Sequence, residues 1–260
     1  MRKVRALRYV SPFRWGSSVP ALVEADDLGL YVVKLRRAGQ GPKALVAELL
    51  AGEIARAAGA SVPEIVLVDL DAALARQERD PEIAEPLAAS AGVNLGLDYL
   101  PGSVAFDPTA GPAPDAATAS RVVLLDAFLT NVDRTRRNPN LLVWHGRLWL
   151  IDHGAALYFQ HGWGPSDPLR GASDPFEPIR EHVLLPWASA LASTGADLAS
   201  VLNERLFARV VDLIPGSWLA DDPFPDEAVH RRAYEAWLHE RMRALPALVD
   251  HAIRARALVA

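Results

Sequence analysis

Between Asp126 and Gly154 the chain gathers the side chains best suited to chemistry. Asn131-Val132-Asp133-Arg134 is followed by Asn138, five positions after Asp133, and further on the chain reaches Asp152-His153-Gly154. A loop carrying Asp and Asn, then a second Asp at a strand end, can bring three oxygen donors together. That set suits magnesium-dependent phosphoryl transfer, in which one carboxylate orients the attacking hydroxyl and the others hold the metal.

The flanking elements have the pattern needed to present these groups. Asp115 reads as the N-cap of a helix over Ala116 to Thr130, whose apolar body includes Val122, Val123, Leu124, Leu125, Phe128 and Leu129. Leu141 to Trp144 and Leu148 to Ile151 flank His145-Gly146 and predict a β-hairpin ending at Asp152. Asp126 lies a helical turn before Asn131, and both are expected to orient the loop rather than react.

The N-terminal part offers a second set. Val4 to Val10, Ala21 to Glu24 and Leu30 to Leu35 predict three strands, with a small-residue loop, Gly16-Ser17-Ser18, between the first two. In a nucleotide-covering loop of this layout the backbone of Gly16 to Ser18 lies over phosphates, and Lys34, closing the third strand, reaches them. A plain hairpin with Lys34 in solvent fits the same pattern. Lys43 to Ala58 predicts a helix ended by Gly59. Glu48 on that helix is the better anionic partner for a buried lysine, whereas Glu53 is rotated toward a solvated face. Ile65 to Leu70 and Gly92 to Leu100 predict further strands, and Asp71 to Ser90 short helices or an insertion. Ala155 to Phe159 is expected to extend the strand before it, and Gln160 to Pro178 forms a long loop. The remainder predicts helices over Ile179 to Thr194, Leu198 to Leu213 and Asp226 to Leu258, with breaks at Gly195, Pro215-Gly216 and Pro223/Pro225.

Composition narrows the classes. The 260 residues are 50% hydrophobic and 23% charged, which excludes wholesale disorder and allows a sizeable core. A net charge of −5 argues against broad nucleic-acid binding. The chain has no cysteine, so disulfides and thiolate metal sites are excluded. No stretch is apolar for long enough to span a membrane, and the basic start lacks a signal-peptide core, so a cytoplasmic location is expected.

In order along the chain, Tyr31-Val-Val-Lys34, Ala47-Glu48-Leu-Leu, Ala58-Gly59-Ala-Ser-Val-Pro63, Asn131-Val-Asp133-Arg134 with Asn138, and Ile151-Asp152-His-Gly154 resemble the HipA-like kinases. More distantly, they are similar to the phosphoinositide 3/4-kinases. The motifs span about residues 16–160, and the shorter stand-alone relatives look closer than the full-length toxin. The resemblance implies an α+β, bilobal protein-kinase-like fold: an antiparallel N-lobe over 1–100, a hinge over 101–114, and a mainly helical C-lobe over 115–260. It implies that ATP and Mg2+ are used, with Asp133 as catalytic aspartate, Asn138 and Asp152 as metal ligands, and Lys34 binding phosphate while paired with Glu48. The backbone of Leu97, Asp98 and Tyr99 is where the adenine contact falls. Val132 stands where ordinary protein kinases have Arg, Arg134 follows the Asp, and His153 replaces the Phe of Asp-Phe-Gly.

The expected acceptor is a hydroxyl, on protein Ser/Thr or alternatively on a small molecule or lipid headgroup. Arg134, Arg136 and Arg137 suggest contact with an acidic or phosphorylated acceptor, or else a solvated loop. A metal hydrolase using Asp126, Asp133, Asp152, His153 and His161 lacks an HExxH spacing. A non-catalytic scaffold fits less well, because Lys34, Asp133, Asn138 and Asp152 are all present. Oligomeric state is not legible.

Overall fold

The structure, a computed structural model, describes residues 1–13, 20–220 and 223–259. The loop residues Gly16, Ser17 and Ser18, expected over phosphates, lie outside the described residues.

Five strands form the N-terminal body: β1 (Lys3–Pro12), β2 (Ala21–Ala25), β3 (Leu30–Lys34), β4 (Ile65–Leu70) and β5 (Gly92–Asp98). They run in the order β1-β2-β3-β5-β4 and close into a barrel. The closing contact is a parallel pairing of Lys3 to Arg5 with Leu67 to Asp69, added to the antiparallel pairings expected from the sequence. Closure removes the exposed edges that an open sheet would leave. A register shift between Ala6 and Arg8 breaks the in-out alternation of β1, so Val4, Ala6 and Tyr9 are buried while Leu7 is exposed. The barrel interior is Val4, Ala6, Tyr9, Val23, Tyr31, Val33, Val66 and Val68, capped at one end by Leu74, Ile83 and Leu87. The last three come from a short 3-10 turn at Ala72–Gln77 and from the helix Pro81–Ala89.

The helix α1 (Pro42–Ala57) starts with proline in its first turn, where a missing N–H costs nothing. It is followed at Gly59 by a positive φ of 80°. Leu45, Leu49, Leu50 and Ile54 are fully buried, but not inside the barrel. They belong to the core shared with the C-terminal helices. α1 packs on the helix Glu204–Asp212, and the Trp218 indole donates to the Val93 carbonyl, 3.0 Å. Each such aliphatic side chain withdrawn from water contributes roughly 1.5–3 kcal/mol, so α1 is held as firmly by the C-terminal half as by the barrel.

With α2 the helix Pro81–Ala89, the chain continues into α3 (Ala116–Phe128), capped by Asp115 accepting from the Thr118 amide, 2.8 Å. The segment between barrel and α3 is not free linker: β6 (Val104–Ala105) pairs with β7 (Leu141–Trp144), which forms a hairpin with β8 (Arg147–Leu150). His145 and Gly146 at its tip have φ of 48° and 69°, matching the twist of a two-residue hairpin. Strand structure stops there. Asp152 and Leu157 adopt φ of 56° and 51°, and Tyr158–Gly162 is a 3-10 turn, so the strand expected over Ala155 to Phe159 does not form.

Three long-range helices complete the fold: α4 (Leu191–Val201), α5 (Glu204–Asp212) and α6 (Glu227–Arg256). The helix expected over Ile179 to Thr194 is reduced to 3-10 turns at Glu177–Glu181 and Leu185–Trp187, where Pro178 and Pro186 remove amide donors. Gly195 does not break a helix. It sits inside α4, where a Cβ would lie 2.6 Å from Val249 Cγ2 of α6, so it permits the close crossing of the two helices. Among the described residues no helix is long and apolar enough to cross a membrane.

Candidate active site

Lys34 ends β3 and points out of the barrel toward α1. Its ammonium donates to Glu48 Oε2, 2.6 Å away, and also to Asp152 Oδ1. Glu48 is 0% exposed, so the lysine does not point into solvent and the pairing expected from the sequence is formed. Burial opposes the lysine's charge, but the carboxylates of Glu48 and Asp152 outweigh it and hold Lys34 protonated well above its ordinary range. For Glu48 burial likewise works against ionisation. The charge of Lys34 and the contact with His153 overcome it and pull the pKa down to about 2. Glu53, as expected, lies on a partly solvated face, 3.8 Å from Arg56.

The loop after α3 is built on Asp126. The helix ends at Leu129, Thr130 takes φ of 51°, and the Asn131 amide returns to the Asp126 carbonyl, 2.9 Å. The buried Asp126 carboxylate accepts from Asn131 Nδ2 at 2.9 Å, from Arg134 Nε at 2.5 Å and from His182 Nε2 at 3.0 Å. His182 Nδ1 accepts from the Leu184 amide, which assigns the proton to Nε2. Burial favours the neutral acid, yet Arg134 and His182 hold Asp126 far below the usual carboxylate range. Burial pushes His182 down, only partly opposed by Asp126. Asp126 and Asn131 therefore shape the loop, as their positions suggested.

Arg134 is 1% exposed and belongs to this buried group, not to a basic surface cluster. Its guanidinium also donates to the Asn140 carbonyl and, at 3.3 Å, to that of Ile151. One side chain thereby ties the exit of the loop to the exit of β8. Arg136 and Arg137 remain exposed.

Asp133 is presented at the loop's surface. Its amide donates to Asn131 Oδ1 at 3.2 Å, and its Oδ2 accepts from Asn138 Nδ2 at 2.8 Å and Asn140 Nδ2 at 3.2 Å. Oδ1 has no donor among the described residues. Asn140 was missed in the sequence, although the Asn-Pro-Asn repeat at 138–140 was its signal. Asn138 is exposed at a turn with Thr135, whereas Asn140 has φ of 50° and its carbonyl accepts from the Ile151 amide, one residue before Asp152. Asp152 follows with its side chain 44% exposed, turned to Lys34.

Asp152 and the amide oxygens of Asn138 and Asn140 are hard oxygen donors of the kind Mg2+ takes, with water and phosphate oxygens completing its shell. Among the described residues no group of three or more His, Asp or Glu side chains is arranged to hold a metal ion.

The backbone of Leu97, Asp98 and Tyr99, where the adenine contact is expected, lies at the end of β5. The amides of Asp98 and Tyr99 already donate to the carbonyls of Glu64 and Leu30, both 2.9 Å, and Leu97 lies mid-ladder between Val32 and Ile65. The pairing of β5 with β3 and β4 engages those amides. Leu100, the next residue, has an amide without a partner among the described residues. A cavity of about 750 Å³ lies elsewhere, between the end of α1, the 104–115 segment and the hairpin, and no predicted site residue lines it.

The profile of one family, the HipA-like kinases, matches residues 8–231. The chain belongs to the HipA-like kinase family. Among solved structures it is similar to the proinflammatory kinase CtkA of Helicobacter pylori, with a TM-score of 0.61 at 11% identity over 95% of this chain and 96% of that one. It also overlaps the Golgi casein kinase solved with Mn/ADP, at 11% identity over 96% of this chain and 73% of that one, but its TM-score of 0.47 is too low to carry an argument. No curated protein matches the sequence. A HipA-like kinase with a bilobal α+β kinase fold accounts for both the order of the motifs and the barrel-plus-helices architecture.

Proposed function

We propose that this HipA-like kinase transfers the γ-phosphate of ATP, with Mg2+, to a hydroxyl group, a Ser or Thr of a protein being the acceptor read from the resemblance. The observation that supports it most is the shared ammonium of Lys34, bonded to Glu48 and Asp152 at once. A cation anchored on one side by a buried carboxylate is presented on the other to whatever anion competes with Asp152. Phosphate oxygens of ATP are that anion, and Asp152 is then released to the metal side.

Phosphoryl transfer asks for positioning and charge neutralisation more than for covalent participation. Lys34 binds phosphate, and Glu48 keeps it aimed. Asp133, its Oδ2 restrained by two asparagine amides, offers Oδ1 to the acceptor hydroxyl and takes its proton. Asp152 with Asn138 and Asn140 would hold a divalent ion, which would supply charge neutralisation to the phosphates. The backbone around Leu97, Asp98 and Tyr99 contacts adenine, with the neighbouring Leu100 amide as donor.

The test is incubation with labelled ATP and Mg2+, with Asp133→Ala and Asp152→Ala as controls. Transfer to protein that both substitutions abolish is the expected result. No nucleotide-induced thermal shift at millimolar ATP sinks the kinase reading, and binding without transfer to any acceptor turns it into a scaffold. Turnover that needs metal but no nucleotide supports a hydrolase instead.

A further inference from the structure

Position 153 holds a histidine where the resemblance leads one to expect phenylalanine, and nothing above gives it work. It is 1% exposed, and its Nδ1 lies 3.4 Å from Glu48 Oε1. Glu48 uses its other oxygen, Oε2, for Lys34. His153 Nε2 is buried and has no partner among the described residues. A buried acceptor left unpaired costs about 1–3 kcal/mol, a penalty that a phenylalanine ring avoids. Packing alone therefore does not explain the imidazole; its contact with Glu48 does.

We propose that His153 is a positioning residue for Glu48. The claim rests on the kinase reading of the site. Asp152 and His153 are adjacent in the chain and straddle the Lys34–Glu48 pair: Asp152 holds the ammonium, and His153 holds the far oxygen of the carboxylate. Gly154 continues along α1, where a Cβ would lie 3.6 Å from Ala44 Cβ. The four side chains thus form a closed circuit, Asp152 to Lys34 to Glu48 to His153, sealed by one peptide bond. When phosphate displaces Asp152 from Lys34, Glu48 loses nothing, because its second oxygen is still held by His153. Its carboxylate cannot rotate away, and Lys34 keeps its direction. His153 thereby joins the orientation of α1 to that of the segment carrying Asp152, a link made through one hydrogen bond.

Three variants separate positioning from packing. His153→Phe keeps the ring's volume and removes the contact; its phosphotransfer kcat falls about tenfold to a hundredfold, the scale of a misplaced catalytic group. Its thermal midpoint stays near that of the parent, because relief of the unpaired Nε2 offsets the lost contact with Glu48. His153→Asn, whose amide nitrogen falls near Nδ1, recovers most of that loss. In the Glu48→Gln background, changing His153 to Phe adds little to the loss already present. Equal kcat for parent and His153→Phe overturns the proposal, as does an equal loss in the Phe and Asn variants. A double-mutant cycle between His153→Phe and Glu48→Gln, read by chemical denaturation, needs no turnover at all. A coupling of roughly tenfold in the unfolding constant supports the contact, and additivity overturns it. If the parent itself transfers no phosphate, the kinase reading has failed, and the cycle still decides whether His153 holds Glu48.

Discussion

Lys34 illustrates what a buried ion pair does to stability. Glu48 is wholly enclosed, and Lys34 is its compensating charge. Removing one partner strands the other, so Lys34→Ala is expected to cost about 3–5 kcal/mol of folding free energy besides abolishing phosphate binding. Lys34→Met combined with Glu48→Gln is expected to recover much of that stability with no activity, as urea denaturation and nucleotide titration measure. If the single variant is as stable as the parent, Lys34 is not the charge that offsets Glu48. The sequence already contained Lys34, Glu48, Asp133 and Asp152 in an order that suggested a kinase site and the pairing of Lys34 with Glu48. It did not show that Asn140 shares Asp133 with Asn138, because which of two nearby asparagines faces the aspartate depends on a backbone turn. Nor did it show Arg134 turned inward, since an arginine among arginines reads as surface until its partner Asp126 is found buried beside it.

At the scale of elements, two contacts carry the helical half. Arg241 of α6 is fully buried and donates to the carbonyls of Ala127 and Phe128, at the end of α3, and of Ala172 and Asp174. Burial lowers its pKa to about 10, so it stays charged at neutral pH. Arg241→Met leaves those carbonyls without their donor, and a loss of about 3–5 kcal/mol is expected in denaturation, with the end of α3 exchanging its amides faster. The second contact is the crossing of α4 and α6 at Gly195. Alanine favours a helix by about 1 kcal/mol over glycine. Gly195→Ala is nonetheless expected to destabilise the protein, because the new methyl meets Val249, and pairing it with Val249→Ala is expected to restore stability. Helix-breaking reputation suggested a boundary at Gly195; the tertiary packing shows why a glycine is needed mid-helix instead.

Across the whole molecule, buried titratable groups set the response to acid. His182 is held below its ordinary 6.5, so the unfolded chain binds its proton first and stability declines as pH falls below about 6.5. Glu48 and Asp126 are held below the ordinary carboxylate range, so their contribution is present above about pH 4.5 and is lost as pH falls toward 2. A denaturation series from pH 8 to pH 2 is expected to show a shallow decline followed by a steep one. His182→Asn should remove the first phase and keep the second; a flat curve between pH 5 and pH 2 contradicts the burial of these carboxylates as charged groups.

Local chemistry was written in the residues themselves: strand and helix periodicity, the caps at Asp115 and Gly59, the hairpin at His145-Gly146, and the order of the kinase motifs. These depend on neighbours a few positions apart, which a sequence displays directly. The tertiary structure alone decided the rest. The place of β5 between β3 and β4 engaged the amides of Asp98 and Tyr99, and a shared core placed α1 with the C-terminal helices. Contacts between residues far apart in the chain decided which side of Asp133 stays open and which atom of Glu48 meets His153. Such contacts have no local pattern, since they follow from how whole elements pack and which polar groups that packing leaves to be paired.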